Sequence, residues 1–233
     1  MTVVVAHRTC PRDARENSLE GIVAAARLGA DVVELDARRS RAGTAVVIHD
    51  PWLGRLQHVP WPVRWANDSQ LRRLRVPTLV EALETARSVG IRVAIDAKDP
   101  GVVEAVLESV RRTQAEEHVL FWSQHAPAAH AFARAVPGAD VGLFRDTFHE
   151  PAHLRLLADA AAIGARAVSV HQDAATPGFI AAARARHLDV YVGYQSLGVQ
   201  AERLRVMAHA GLTGVVTDWP EEARTLLDQM TSP

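Results

Sequence analysis

Strand-like and helix-like segments alternate along all 233 residues, and no other feature of the chain limits its fold so tightly. Short apolar runs such as Val3-Val4-Val5-Ala6 read as strands buried on both faces. Between them, apolar residues recur at helical spacing, as at Leu19, Ile22, Val23 and Ala26. Strands are predicted at 3–6, around Glu34, and at 91–95, 118–121, 140–144, 167–170, 188–192 and 214–216. Helices are predicted at 17–28, 79–89, 102–112, 126–136, 152–163, 177–186, 199–210 and 221–228. Thr78 and Glu81 form a capping-box pattern at the start of the second helix, and Gly90 sits at its end. Strands that alternate with helices imply a parallel sheet. Eight such units in a chain of this length fit a closed (β/α)8 barrel, a TIM barrel. No glycine-rich GxGxxG follows the first strand, so an open dinucleotide-binding sheet loses its main support. No composition break divides residues 1–233, which read as one domain. The stretch 53–76, with Pro60, Trp61, Pro62 and Trp65, reads as a short rim insertion after the second strand.

Composition narrows the function classes. A net charge of −1 without blocks of like charge argues against broad nucleic-acid binding. No apolar run approaches the ~20 residues that cross a bilayer, so stable membrane insertion is not expected. The opening residues 1–8 read as a strand running into charge, not a signal peptide, and a cytoplasmic location is expected. The single cysteine, Cys10, has neither a disulfide partner nor the companions of a thiolate metal site.

In barrels of this kind chemistry sits at the C-terminal ends of the strands. The first strand ends in His7 and Arg8. The second carries Glu34 and Asp36, two apart and on one face. A turn at Arg41-Ala42-Gly43 returns the chain so that His49 or Asp50 comes beside Glu34. The third strand ends in Asp96 and Lys98, the sixth in His171 and the eighth in Asp218. Two carboxylates 4 Å apart repel by ~4 kcal/mol at an effective dielectric of about 20, so a dry pair needs a cation or protons. Glu34, Asp36 and Asp96 form an all-oxygen set suited to Mg²⁺ or Ca²⁺. Arg8 and Lys98 suit an anion with several oxygens, with phosphate the obvious candidate. Two histidines titrating near neutrality can serve as general base and general acid. This is a working set for phosphodiester cleavage. Asp50 and Asp218 read as caps of the turn and helix that follow them.

The chain resembles the glycerophosphodiester phosphodiesterase family in Ala6-His7-Arg8, Glu16-Asn17-Ser18, Val33-Glu34-Leu35-Asp36 and Val47-Ile48-His49-Asp50. Pro77-Thr78-Leu79-Glu81, Ile95-Asp96-Ala97-Lys98 and Val216-Thr217-Asp218-Trp219-Pro220 continue the likeness in family order. The resemblance implies a (β/α)8 enzyme that hydrolyses glycerophosphodiesters to glycerol 3-phosphate and an alcohol. It implies His7 and His49 as the catalytic pair, Arg8 and Lys98 at the phosphate, and Glu34, Asp36 and Asp96 at a divalent metal. Phospholipase D-like or cyclising chemistry on lysophospholipids is the alternative within enzymes, and a non-catalytic phosphodiester-binding protein the alternative outside them. The chain departs from the family pattern at three places. Thr9 stands where the family has glycine, and Asp96 where it usually has glutamate. Gly193-Tyr194-Gln195-Ser196 replaces an aromatic motif, so a pocket wall is expected from Tyr194, Trp219 or the insertion's tryptophans, with His171 as a polar lining residue. The sequence sets no oligomeric state.

Overall fold

The computed structural model describes residues 2–145, 150–194 and 200–231. Strands β1 (Val3–Ala6), β2 (Val32–Arg39), β3 (Ala45–Val47), β4 (Arg92–Ala97) and β5 (Val119–Ser123) lie in the first half. They are followed by β6 (Asp140–Arg145), β7 (Ala167–His171), β8 (Asp189–Tyr194) and β9 (Gly214–Thr217). Helices α1 (Leu19–Arg27), α2 (Gly54–Gln57), α3 (Asp68–Arg73), α4 (Leu79–Val89) and α5 (Val103–Thr113) are interleaved with them. So are α6 (Ala126–Ala135), α7 (Glu150–Ala162), α8 (Pro177–Arg184), α9 (Ala201–His209) and α10 (Pro220–Thr231). All strands but β3 pair in parallel as a ring, β1-β2-β4-β5-β6-β7-β8-β9 and back to β1. The expected closed barrel of eight parallel strands is therefore present, with β3 as an extra strand outside the ring. It pairs antiparallel with the end of β2, from Ala37 opposite Val47 to Arg39 opposite Ala45, beyond the point where β1 stops.

Alternation along each strand decides what each side chain meets. Val4, Val33, Ile95, Phe121, Val168, Val190 and Val215 face outward and join the main core beneath the helices. Val5, Val32, Ala94, Leu120, Trp122, Ala167, Tyr191 and Val216 face inward and fill the barrel. Trp122 meets Tyr191 edge-on, with ring centroids 5.0 Å apart. Two glycines make room for these rings. A Cβ on Gly142 would lie 2.6 Å from the Trp122 ring, and one on Gly214 would lie 2.6 Å from the Tyr191 ring. The aromatic pair is thus a floor, and the polar positions of the same face stand above it.

Two elements differ from the sequence reading. The first helix begins at Leu19, not Asn17: Ser18 is its N-cap, accepting from the Gly21 N–H at 3.0 Å. Asn17 stays outside in the left-handed region at φ 55°, which asparagine tolerates better than most residues. The rim insertion is also more ordered than its prolines suggest. It holds α2 and α3 over a small core of its own, built from Val46, Ile48, Leu53, Val63, Ala66, Leu71 and Val76. The fourth helix matches its capping box, with the Thr78 and Glu81 side chains each accepting from the other's backbone N–H and Gly90 closing the end at φ 73°. Among the described residues no helix is long and apolar enough to cross a membrane.

Candidate active site

The register of β2 against β4 assembles the acids. Asp36 lies level with Asp96 on the neighbouring strand, and Glu34 stands one pleat below on the same face. One carboxylate oxygen from each of the three lies within 4.8 Å of the others, and all three residues are buried. Asn17 fixes Asp36 from both sides: its Nδ2 donates to Asp36 Oδ2 at 2.6 Å, and its Oδ1 accepts from the Asp36 N–H at 3.1 Å. The Lys98 ammonium lies 2.6 Å from Asp36 Oδ1 and 2.5 Å from Asp96 Oδ2. The Arg8 N–H donates to Glu34 Oε2 at 2.8 Å, and its guanidinium Nε lies 3.6 Å from Asp36 Oδ2.

Two cations do not satisfy three buried acids. Burial drives the Glu34 carboxyl well above the ordinary carboxylate range, and Asp36 adds to the rise. Burial also pushes Asp96 up to about 6, against the pull of Lys98. Burial opposes ionisation of Asp36 too, yet Lys98, His49 and Arg8 outweigh it and hold that carboxyl at about 2. Asp96 Oδ1 is buried and has no hydrogen-bond partner among the described residues. A hard dication fits this donor set, because it would give the orphaned oxygen a partner and remove the reason for Glu34 and Asp96 to hold protons.

Each histidine is braced by a carboxylate. Nδ1 of His7 lies 2.6 Å from Asp218 Oδ1, and Nδ1 of His49 lies 2.7 Å from Asp50 Oδ1. A carboxylate at Nδ1 favours the tautomer with the proton there and leaves Nε2 for proton transfer. Asp50 is itself fixed by the Arg55 guanidinium, which also bridges to Glu16. Burial lowers the His49 pKa, and Lys98 and Arg8 lower it further against Asp36 and Asp50. One cavity is lined by both histidines, Arg8, Glu34, Asp96 and Lys98, with Trp122 on its lining as well.

The loop that carries His7 and Arg8 is strained. Arg8, Thr9 and Cys10 all have positive φ, at 45°, 64° and 71°. Such values cost non-glycine residues roughly 1–2 kcal/mol each. The Thr9 side chain survives there because α1 offers a glycine and a donor. A Cβ on Gly21 would lie 2.3 Å from Thr9 Oγ1 and 2.4 Å from its carbonyl oxygen, and the Ser18 N–H donates to Thr9 Oγ1 at 3.2 Å. Gly21→Ala should therefore destabilise the protein by roughly 1–3 kcal/mol, as overpacking does. Thermal melting should show a drop of several degrees, recovered only in part in Thr9→Gly/Gly21→Ala, which removes the side-chain clash and leaves the one with the residue 9 carbonyl. A melting temperature unchanged by Gly21→Ala alone would refute the packing argument.

Comparison with known proteins bears on this arrangement. The model of the glycerophosphoryl diester phosphodiesterase family matches residues 7–222. The chain belongs to that family. Membership makes it a phosphodiester hydrolase by class. It is 25% identical to a glycerophosphodiester phosphodiesterase of Caldanaerobacter subterraneus, over 94% of this chain and 95% of the relative. It is 27% identical to one of Bacillus altitudinis, over 99% of this chain and all of the relative. Among solved structures, the glycerophosphodiester phosphodiesterase of Thermotoga maritima superimposes with a TM-score of 0.81 at 24% identity, covering 97% of this chain and 98% of that one. A phosphodiesterase of Oleispira antarctica in complex with the product sn-glycerol-3-phosphate superimposes at 0.85 with 19% identity, covering 98% of this chain and 97% of that one. These two structures share the fold.

Within this family member the residues singled out from sequence fall into four groups. His7, Arg8, Glu34, His49, Asp96, Lys98 and His171 line one cavity, with Asp36 buried against Lys98. Trp219 departs from its expected place as a pocket wall. Asp218 takes the inward position, so the next residue turns out; Trp219 packs against the outer core with the Arg12 guanidinium 4.8 Å above its ring. For Tyr194 only the backbone, at the end of β8, is described; its side chain, and Gln195 and Ser196, lie outside the described residues. Asp50 and Asp218, read as caps, instead hold the two histidines. Spacing could not show the second pairing, whose partners are 211 residues apart. The adjacent His49-Asp50 pair was a signal, as was the inward position of Asp218 one step past β9. The aromatic ring that the sequence placed in a wall comes from Trp122 instead, an inward residue of β5.

Proposed function

We propose that this chain hydrolyses glycerophosphodiesters to glycerol 3-phosphate and an alcohol with the help of a divalent cation. The observation that carries this reading is the meeting of two carboxylate-braced histidines with three buried acids and two cations around one cavity. The Oleispira antarctica neighbour, captured with sn-glycerol-3-phosphate, supports the same substrate class. Arg8 and Lys98 bind the phosphoryl oxygens and hold the phosphorus between the histidines. His49, whose pKa is held down, accepts the proton of the attacking group, which is either water or the glycerol 2-hydroxyl, and in the second case water then opens the cyclic phosphate to give glycerol 3-phosphate. His7 then protonates the departing alkoxide through Nε2, and Asp218 stabilises the charged ring. Glu34, Asp36 and Asp96 would hold Mg²⁺ or Ca²⁺, which supplies Lewis-acid stabilisation of phosphoryl charge. One domain over residues 1–233 and a cytoplasmic location belong to the same reading.

The test is release of glycerol 3-phosphate from glycerophosphocholine. Chelation should suppress it, and Mg²⁺ or Ca²⁺ should restore it. Full turnover in chelator would end the metal reading, while the absence of turnover with every divalent ion and diester tried would end the enzymatic one. The carboxyl pKa values add a stability prediction. Glu34 and Asp96 are raised on folding, so the folded chain keeps these protons longer than the unfolded one. Stability without metal is then greatest below the ordinary carboxylate pKa of about 4 and falls as pH rises toward about 6, where Asp96 ionises. Asp36 acts in the opposite sense, contributing stability that fades as pH falls toward about 2. Melting in chelator should thus drop between pH 5 and pH 7, and Mg²⁺ or Ca²⁺ should raise it more at the higher pH. Equal stabilisation by metal at both values would contradict the donor assignment.

A further inference from the structure

Among the described residues, three of the six large, exposed apolar side chains are tryptophans, and they lie on the rim insertion and the residue just before it. Trp52, Trp61 and Trp65 are 54%, 46% and 60% exposed. One ribbon holds them together. Trp52 bridges Pro62, the Leu53 N–H donates to the Trp61 carbonyl at 2.9 Å, and the Trp65 N–H donates to the Pro62 carbonyl at 3.0 Å. Their neighbours are cationic. Trp52 shares a surface cavity with Arg38, Arg39, Arg64 and Asp99, and the Arg64 guanidinium lies 6.0 Å from the Trp65 ring centroid. Arg39, Arg41 and Arg64 make no ion pair among the described residues. Residues 38–76 carry eight arginines and two aspartates, a balance of +6 within a chain of net charge −1.

The insertion has a small core that leaves these indoles out. Nothing in the packing of the fold requires them at the surface. Indole rings beside unpaired guanidinium groups suit a boundary with an apolar interior and an anionic skin. Each arginine near such a surface adds an attraction that salt screens, and the indoles add apolar burial at the headgroup level. The balance of the other residues is negative, so the excess of positive charge lies in this region. The patch also adjoins the site. Arg38 Nε donates to the His49 carbonyl at 2.7 Å, and Arg55 holds Asp50 against His49.

We infer that the rim insertion docks on an anionic phospholipid bilayer through Trp52, Trp61 and Trp65, with Arg39, Arg41 and Arg64 at the headgroup phosphates. Docking sets the cavity mouth beside the lipid surface. It needs no turnover, so it stands or falls separately from the proposed reaction.

The full chain should be sedimented with vesicles of phosphatidylcholine alone and with vesicles containing about 30% phosphatidylglycerol, each at low and high salt. Binding is expected to the anionic vesicles at low salt and to weaken in high salt. Trp52→Ala/Trp61→Ala/Trp65→Ala and Arg39→Glu/Arg64→Glu should each weaken it by roughly 10-fold or more. Melting temperature and turnover of soluble glycerophosphocholine should stay at parent values, showing that the variants are folded. Should either variant unfold, Trp65→Ala and Arg64→Glu, both at exposed positions, take its place with a smaller loss. Failure of the parent chain to bind anionic vesicles would overturn the inference. So would equal binding to both vesicle types, binding that survives both variants, or a Trp-dependent shift to dimers without vesicle binding.

Discussion

Turnover of glycerophosphocholine should fall at least ~100-fold in His7→Ala and in His49→Ala, with both proteins still folded, in line with general acid–base contributions. The fold should tolerate both changes because each ring lies at the mouth of the barrel and not in its packed interior. The two braces offer a finer reading. Asp218→Asn and Asp50→Asn keep the shape of each contact but remove the charge that stabilises the protonated ring. Losses of roughly 10-fold are expected, together with a displaced pH–rate profile, because outer partners of this kind typically cost 10–100-fold. A purely structural aspartate would change stability and leave the profile where it was. Near-parent turnover in either alanine variant would remove that histidine from the proposed reaction.

Asp36→Ala should be the most destabilising change in the site. Folding favours the ionised form of Asp36, whereas it pushes the protons back onto Glu34 and Asp96. Its removal leaves the Asn17 amide without its carboxylate, the Arg8 guanidinium with Glu16 alone, and Lys98 with one acid fewer in a buried place. Breaking a buried pair from one side costs about 3–5 kcal/mol, which for a chain of this size lowers the melting temperature on the order of 10 °C. Divalent-ion binding should be lost as well. Asp36→Asn separates the two effects: it retains the volume and part of the hydrogen bonding, so it should melt closer to the parent yet bind metal no better than Asp36→Ala. Calorimetric titration with Mg²⁺ or Ca²⁺ and a thermal melt decide this together. An Asp36→Ala protein that melts with the parent would show that the charge network is not what stabilises this end of the barrel.

How much of this could be read from the chain itself depended on the range of the interaction. Alternating strand and helix signals are local, and the eight parallel strands follow them. The placement of Glu34 beside Asp36 needs only the period of a strand. Their meeting with Asp96 needs the neighbouring strand as well, and the barrel supplies it. Contacts between distant loops had no such rule. Asn17 looked like the first residue of a helix, and its left-handed backbone and grip on Asp36 come from tertiary packing. Asp218 looked like a helix cap because sequence shows its near neighbours, Trp219 and Pro220, and not His7 across the ring. Thr9 is the instructive case. A side chain at a glycine position reads as a defect until Gly21 is seen to vacate the space it fills.

The contact between His7 and Asp218 ties the first strand of the ring to the last. During synthesis, His7 is made 211 residues before Asp218 and has no brace until that residue follows. The β2–β4 pairing that gathers Glu34, Asp36 and Asp96 does not involve β9, whereas the bracing of His7 requires the residue that follows β9. The orientation of the His7 ring therefore depends on closure of the barrel between β1 and β9.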